Sequence, residues 1–182
     1  DIEIEERPTG EISAGAGVGT SGGTVSFGIK ENNWLGTGRS VEFMMDLDEE
    51  SLTGVVSFND PNYDRLGNSL NYYVRSEGND KPDQGYENTI VATGIGTSFE
   101  QYKDLRTSLG TSFTYDDLRT DSSATASLKK QSGEFTELAA NYGFSYDKRD
   151  RSFMPTSGYI SSFSQTLPLY ADRNFINNTI TH

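Results

Sequence analysis

Three stretches of the chain carry residue types whose spacing could do chemistry. Gly17-Val18-Gly19-Thr20-Ser21-Gly22 has the spacing G-x-G-x-x-G. That fingerprint cradles a pyrophosphate only when a helix comes next, because the helix N-terminus supplies the N–H groups. The next segment here is Thr24 to Lys30, in which Val25, Phe27 and Ile29 alternate with polar or small residues. This is the period of a strand, so the glycines read as a hairpin turn. Asp46-x-Asp48-x-Glu50 and Asp60-x-Asn62-x-Asp64 open like calcium loops. Their sixth positions are Ser51 and Arg65 where glycine is needed, and their twelfth are Ser57 and Asn71 where a bidentate glutamate is needed. They read as solvated loop charge. The 27 acidic residues offer many carboxylate pairs for glycoside hydrolysis, but nothing selects one pair. The one histidine is His182, and there is no cysteine. A Ser/His/Asp triad, a histidine or thiolate metal site and a disulfide framework all lack their central parts. The sequence therefore predicts no enzyme, no cofactor and no metal. With 15 basic residues against the 27 acidic ones, the net charge is -12, which also excludes nucleic acid as a partner.

The elements that hold these residues are strands. No apolar run approaches the roughly 18 residues of a membrane helix, and residues 1–6 are acidic where a signal peptide is basic and then apolar. Only 33% of residues are hydrophobic, yet 12% are aromatic, which disordered chains are not. Period-2 stripes recur instead: Val41, Phe43, Met45 and Leu47; Leu70, Tyr72 and Val74; Leu105 to Tyr115; Leu138 to Tyr146; and, more weakly, Tyr159 to Leu167. About nine strands are expected, at roughly 10–18, 23–32, 38–48, 51–60, 68–77, 86–97, 103–118, 134–147 and 157–168, with the facing of 88–97 ambiguous. Several reach the roughly 9–11 residues that cross a bilayer when tilted. The fold class is all-β, an antiparallel transmembrane β-barrel segment of meandering strands.

The connections fall into two sets. Residues 20–23, 48–50, 78–85 and 120–133 are polar, acidic or flexible, whereas 33–36, 59–67, 98–104 and 148–158 carry aromatics and, in two cases, proline. Unequal rims suit a barrel. Trp34, Phe99, Tyr102, Tyr115, Tyr146, Phe153 and Tyr159 lie near strand ends, where an interfacial girdle belongs. The first strand is weak: its apolar face is only Ile12, Ala14, Ala16 and Val18, and Ser13, Gly15 and Gly17 make up much of the other. Two readings stay level, a tight packing site and an edge built to open and exchange partners.

Five segments in order carry a family resemblance: Glu6-Arg7-Pro8-Thr9-Gly10, the glycine-rich first strand, Asn33-Trp34-Leu35-Gly36-Thr37-Gly38, Phe58-Asn59-Asp60-Pro61-Asn62-Tyr63, and Asp150-Arg151-Ser152-Phe153-Met154-Pro155-Thr156-Ser157-Gly158. Over about residues 1–170 the chain resembles the BamA family of bacterial outer-membrane protein assembly factors. The resemblance implies periplasmic POTRA domains before a sixteen-stranded outer-membrane barrel. On that template residues 1–7 end the last POTRA domain, 8–170 are barrel strands one to nine, and 171–182 form an irregular tail, so the chain reads as a fragment. The aromatic-rich connections become periplasmic turns, with Trp34, Gly36, Gly38, Pro61, Asp150, Arg151, Pro155 and Gly158 as their structural residues, and 120–133 becomes an extracellular loop. The implied partners are the outer-membrane bilayer of a Gram-negative bacterium, client β-barrel proteins and accessory assembly lipoproteins. The implied activity is client insertion through a lateral gate at Ile12, Ser13, Ala14, Gly15, Ala16, Gly17 and Val18. Rival readings are a passive pore lined by Glu42, Asp46 and Arg75, a soluble glycan-binding β-sandwich, and a related autotransporter-assembly or two-partner secretion barrel.

Overall fold

A computed structural model describes residues 8–19, 22–173 and 175–182; the expected POTRA end at 1–7 lies outside them. Ten strands form one antiparallel sheet in sequence order: β1 (Gly10–Gly19), β2 (Gly22–Glu31), β3 (Ser40–Asp48), β4 (Ser51–Asp60), β5 (Ser69–Lys81), β6 (Tyr86–Tyr102), β7 (Leu105–Thr120), β8 (Gly133–Asp147), β9 (Ile160–Ala171) and β10 (Asn177–Thr181). There is no second layer among the described residues, so the soluble sandwich falls: a sandwich must bury one sheet face against another.

Register explains why the alternation is legible. Ile29 pairs with Phe43, Phe43 with Val56, Val56 with Val74 and Val74 with Thr93. Every apolar stripe thus lands on the same face, because a side chain's face repeats every two residues and antiparallel partners share it. That face is uncovered. Phe43, Val56, Tyr72, Ile95, Leu109, Phe113 and Phe144 all remain exposed along it. The buried apolar core of the described residues is confined to Ala124 and Ala139. A sheet this apolar on one side and this uncovered is built for lipid, where Leu or Phe against acyl chains needs no protein partner.

The other face is polar and lined by small residues. A Cβ at Gly94 would meet the Tyr73 ring at 2.5 Å, one at Gly96 the Asn71 Oδ1 at 2.7 Å, and one at Gly110 the Ile95 carbonyl oxygen at 2.8 Å. Side chains there lie across glycines, which lets the sheet curl toward this face. The resulting hollow, about 410 Å³, is lined by Ser69, Asn71, Ser98, Ser108, Ser112, Asn141 and Thr166. Glu42 and Asp46 on β3 and Arg75 on β5 occupy this inner face, Arg75 being paired with Glu77.

Several expectations need correction. The tail is not irregular throughout, because Asn177–Thr181 pairs with Thr166–Ser162 as a tenth strand; one apolar residue, Ile180, is too little for alternation to register. The β5 and β6 strands extend to Lys81 and Tyr102, so the connections expected at 78–85 and 98–104 shrink to 82–85 and 103–104. The residues added to β5 are polar or glycine and those added to β6 mix Ser98, Glu100 and Gln101 with the aromatics Phe99 and Tyr102, because at the sheet rim neither face must keep a strict alternation. The β9 strand starts at Ile160, after the turn organised by Asp150. Residues 88–97 are strand throughout, with Val91, Thr93, Ile95 and Thr97 on the apolar face. The 120–133 loop contains a short helix, α1 (Ala126–Gln131), capped by Thr125, whose Oγ1 accepts from Leu128 N. This loop folds back on the β5–β6 turn: Asp121 N donates to the Gly85 carbonyl, and a Cβ at Gly85 would meet Ala124 N at 2.6 Å.

Candidate functional site

The β1 strand pairs along its whole length with β2, from Gly10↔Glu31 to Gly19↔Gly22. Its other edge has no partner among the described residues, and neither has the outer edge of β10. All of Glu11 to Val18 is exposed, with Val18 at 94%. Ile12, Ala14 and Ala16 stand opposite Ile29, Phe27 and Val25 on the apolar face. Of the two readings of this strand, geometry bears on tight packing: a Cβ at Gly15 or Gly17 would meet nothing within 4 Å. Those glycines make no room for a close neighbour among the described residues. Ser13 is different, since its Oγ lies where a Gly28 Cβ would be, at 2.6 Å. Hydrogen bonds along β1 are therefore supported by little side-chain packing, the weak regime for a strand pair.

The rim that carries the aromatic connections is ordered by short polar side chains. In the β2–β3 connection, Asn33 Oδ1 accepts from Gly38 N at 2.7 Å, Thr37 Oγ1 donates to the Trp34 carbonyl at 2.6 Å, and Trp34 N donates to the Arg39 carbonyl at 2.8 Å. Gly36 and Gly38 sit at φ 73 and 71, which glycine adopts without a Cβ penalty. Arg39 Nε reaches the buried Asp60 at 2.7 Å, tying this turn to the end of β4, and Asp60 Oδ1 also accepts from Asn62 N beyond Pro61. In the β8–β9 connection, Asp150 Oδ1 accepts from Thr156 N and Ser157 N, and Oδ2 from Thr156 Oγ1. Pro155 leads into that bracket through a trans bond. Gly158, at φ 94, lies against the Lys148 carbonyl and Arg149 Cα. Arg151 is half-exposed and only 3.8 Å from Asp150.

The hydrogen bonds from Thr156 and Ser157 hold the Asp150 carboxyl below its usual value of 3.8. A depressed folded pKa means that the carboxylate's stabilisation of the turn is full above the unfolded value and fades as pH falls through the folded one. Asp150→Ala is expected to speed trypsin cleavage after Arg151 at neutral pH, where the Asp150 carboxylate is fully ionised and its contribution to the turn is complete. Equal digestion of the two proteins would show that the bracket does not order the loop.

One sheet, an uncovered apolar face, ten strands in meander and a turn rim of this kind agree with the similarity to known proteins. The profile of the Omp85 superfamily domain matches residues 33–181. The chain belongs to the Omp85 superfamily. Among curated Omp85-like relatives it is 28% identical over 167 aligned positions to the outer membrane protein assembly factor BamA of Neorickettsia risticii, covering 87% of this chain and 22% of that protein. It is 25% identical over 187 positions to BamA of Neisseria meningitidis serogroup B, covering 93% and 24%. Its fold matches the crystal structure of BamA from Haemophilus ducreyi lacking POTRA domains 1–3, with a TM-score of 0.72 at 24% identity over 91% of this chain and 35% of that one. The chain thus spans less than a quarter of the length of these curated relatives. As an Omp85 barrel segment with a lipid-facing side, it resides in the outer membrane.

The turn residues expected from sequence do cluster on this Omp85 rim: Trp34, Gly36, Gly38, Pro61, Asp150, Arg151, Pro155 and Gly158 all lie in the connections between β2 and β3, β4 and β5, and β8 and β9. The first-strand set does not share that rim. It runs from it, at Gly10, to the opposite one. Sequence reasoning missed Asn33, Arg39 and Asp60 as turn-holding groups. The available signal was an Asx residue placed just before a glycine-bearing turn.

Proposed function

We propose that this chain is the leading part of an outer-membrane β-barrel that assembles other β-barrel proteins, with the backbone of Ile12 to Val18 as the edge to which a client strand adds. The observation that carries the reading is the make-up of β1 itself: it pairs with β2 along its whole length, yet through alanines, glycines and a serine that give the seam little side-chain packing. In hydrocarbon an unpaired N–H or C=O costs several kcal/mol, so such an edge recruits a strand. The recruited strand gains main-chain hydrogen bonds whatever its sequence, which suits many clients. Small side chains keep the seam's own closure weak, so exchange needs no nucleotide. The similarity to BamA supports assembly as the activity of the complete protein, and supports clients and accessory lipoproteins as its partners. The same similarity supports the aromatic-rich rim as the periplasmic one and 121–132 as an extracellular loop.

The test uses the complete protein. The double substitution Gly15→Val and Gly17→Val meets no steric obstacle and adds β propensity of about 1 kcal/mol at each site. It is expected to slow client insertion into liposomes roughly ten-fold if closure and client pairing compete for this edge. An unchanged insertion rate in a folded variant removes the gate role from β1. Ion conductance across planar bilayers with no client insertion by the unsubstituted protein would instead favour a passive pore lined by Glu42, Asp46 and Arg75.

A further inference from the structure

The β1 strand is fastened unevenly along its length. Between Ile12 and Val18 only Ile12↔Ile29 joins two large side chains across the β1–β2 seam; every other pair contains an alanine, a glycine or a serine. No side-chain hydrogen bond reaches Ser13 to Val18 among the described residues. The foot of the strand, at the rim with the aromatic connections, is different. Asn32, one residue past β2, donates from its backbone N to the Thr9 carbonyl at 3.3 Å, and from Nδ2 to the same carbonyl at 3.1 Å and to Glu11 Oε1 at 3.0 Å. Glu31 Oε1 accepts from Thr9 Oγ1 and, at 2.8 Å, from Asn33 N. Asn33 in turn belongs to the β2–β3 turn, where its Oδ1 accepts from Gly38 N.

This clamp sits where a hairpin is least secure. The covalent connection beyond Gly19↔Gly22 holds one end of the β1–β2 hairpin, and the open end, from which a strand pair frays, is at Gly10↔Glu31. Sliding β1 by two residues keeps every side chain on its own face. Such a slide would exchange small residues for small ones, Ala16 for Ala14 opposite Phe27 and Gly17 for Gly15 opposite Ser26. Packing in the middle of β1 therefore does little to select one register. The clamp does select one, because a two-residue slide carries Thr9 and Glu11 about 7 Å along the strand, beyond hydrogen-bond reach of Glu31 and Asn32.

We propose that Glu31 and Asn32, by clamping Thr9 and Glu11, are positioning residues for the client edge: they fix the register of β1 on β2 and so the height at which its outer backbone groups meet an incoming strand, a role that rests on the client-edge reading and refines it. The depth of a client strand is set by its own apolar band in the bilayer, and the depth of the sheet by the bands of β2 to β9. An edge strand free to slide between them would present different residues to the same client position. Holding β1 by polar groups at the rim leaves the stretch from Ser13 to Val18 without side-chain ties, so weak closure and a single register are compatible in one strand.

The test uses the complete protein freed of other cysteines, this chain having none, with folding verified by heat-modifiable migration. Ser26→Cys is combined with Gly15→Cys, which faces it, or with Gly17→Cys, which faces it only after a two-residue slide. A facing pair reaches disulfide geometry, and a diagonal pair about 7–8 Å apart does not. With the clamp intact the facing pair is expected to oxidise at least about ten-fold faster than the diagonal pair. Asn32→Asp keeps the side chain's shape, loses both Nδ2 donations and sets a carboxylate against Glu11; Thr9→Val removes the donation to Glu31. Each is expected to bring the ratio down to about two-fold or less, whereas Glu31→Gln keeps Oε1 as an acceptor and is expected to retain it. A ratio unchanged in folded Asn32→Asp and Thr9→Val, even with a lowered urea midpoint, would be plain structural support and overturns the proposal. Client register is read separately, by oxidising Ser13→Cys against a small urea-denatured outer-membrane barrel protein carrying single cysteines along its terminal strands. One client position is expected with the clamp intact, and a second, two residues away, with Asn32→Asp. A single position in both overturns the clamp's role and leaves the client edge standing; no crosslink to the unsubstituted clamp removes the client edge, and the positioning role with it.

Discussion

Val56→Lys is expected to destabilise the folded barrel by about 2–4 kcal/mol, while Val55→Lys, one residue away, costs less than about 1 kcal/mol. Both residues are valines in the middle of β4. Val56 stands between Phe43 and Val74 on the apolar face, whereas Val55 stands between Met44 and Arg75 on the polar one. A lysine at 56 must hold an ammonium in hydrocarbon or stretch along the sheet to reach a headgroup. At 55 the same ammonium meets the wet inner face, and the repulsion from Arg75 is reduced because Glu77 already pairs with that guanidinium. Intrinsic strand propensities cancel in the comparison, since the residue types are identical at both sites. The measurement is urea unfolding of the complete protein in phospholipid vesicles, followed by heat-modifiable migration. Comparable losses at 55 and 56 would mean that the apolar face does not meet lipid, and the barrel assignment would fail with it.

This pair of residues also shows why so much of the fold could be read without coordinates. A strand that crosses a membrane follows one main rule, apolar on alternate residues, and Val41-Glu42-Phe43 or Val25-Ser26-Phe27 displays it locally. Pairing is then set by the order of strands, because meander topology makes each strand's neighbour the next one in sequence. The rule stops where the bilayer stops. Asn79, Asp80 and Lys81 continue β5 on water, with backbone pairing to Asn88, Glu87 and Tyr86 and no constraint on either face, so their sequence has the character of a loop. Asn177–Thr181 is hidden for a related reason: five residues with one apolar side chain carry too little alternation to be distinguished from coil.

The candidate site was legible to a different degree at its two places. Glycine-rich β1 was visible as a strand with few packing side chains, but whether its glycines admit a close neighbour is a question about space, and only the empty surroundings of Gly15 and Gly17 speak to it. In the turns, Pro61, Asp150 and Gly158 announce themselves by residue type. Asn33 and the Arg39 to Asp60 bridge do not, since the partners of the bridge are 21 residues apart and meet only after β3 and β4 have paired in register. Long-range polar contacts of this kind depend on the sheet being formed first.

Gly158→Ala is expected to cost about 3 kcal/mol or more, because two penalties coincide at one residue. The backbone there is at φ 94, outside the range that a residue with a Cβ accepts. The added methyl would also overlap the Lys148 carbonyl group and lie 2.7 Å from Arg149 Cα, both of them backbone atoms that cannot rotate away. Relief requires the β8 and β9 ends to separate, which breaks the 2.8 Å hydrogen bond from Lys148 N to the Tyr159 carbonyl and loosens the Tyr146 to Tyr159 contact. Gly38→Ala isolates the conformational part: φ is 71 there, yet a Cβ would meet nothing within 4 Å, so only about 1–2 kcal/mol is expected. The two variants of the complete protein, unfolded in urea side by side, separate backbone strain from backbone collision. A Gly158→Ala loss no larger than that of Gly38→Ala would show that the turn yields at no cost to the strands. In that case the bracket around Asp150, and not the glycine, fixes where β9 begins.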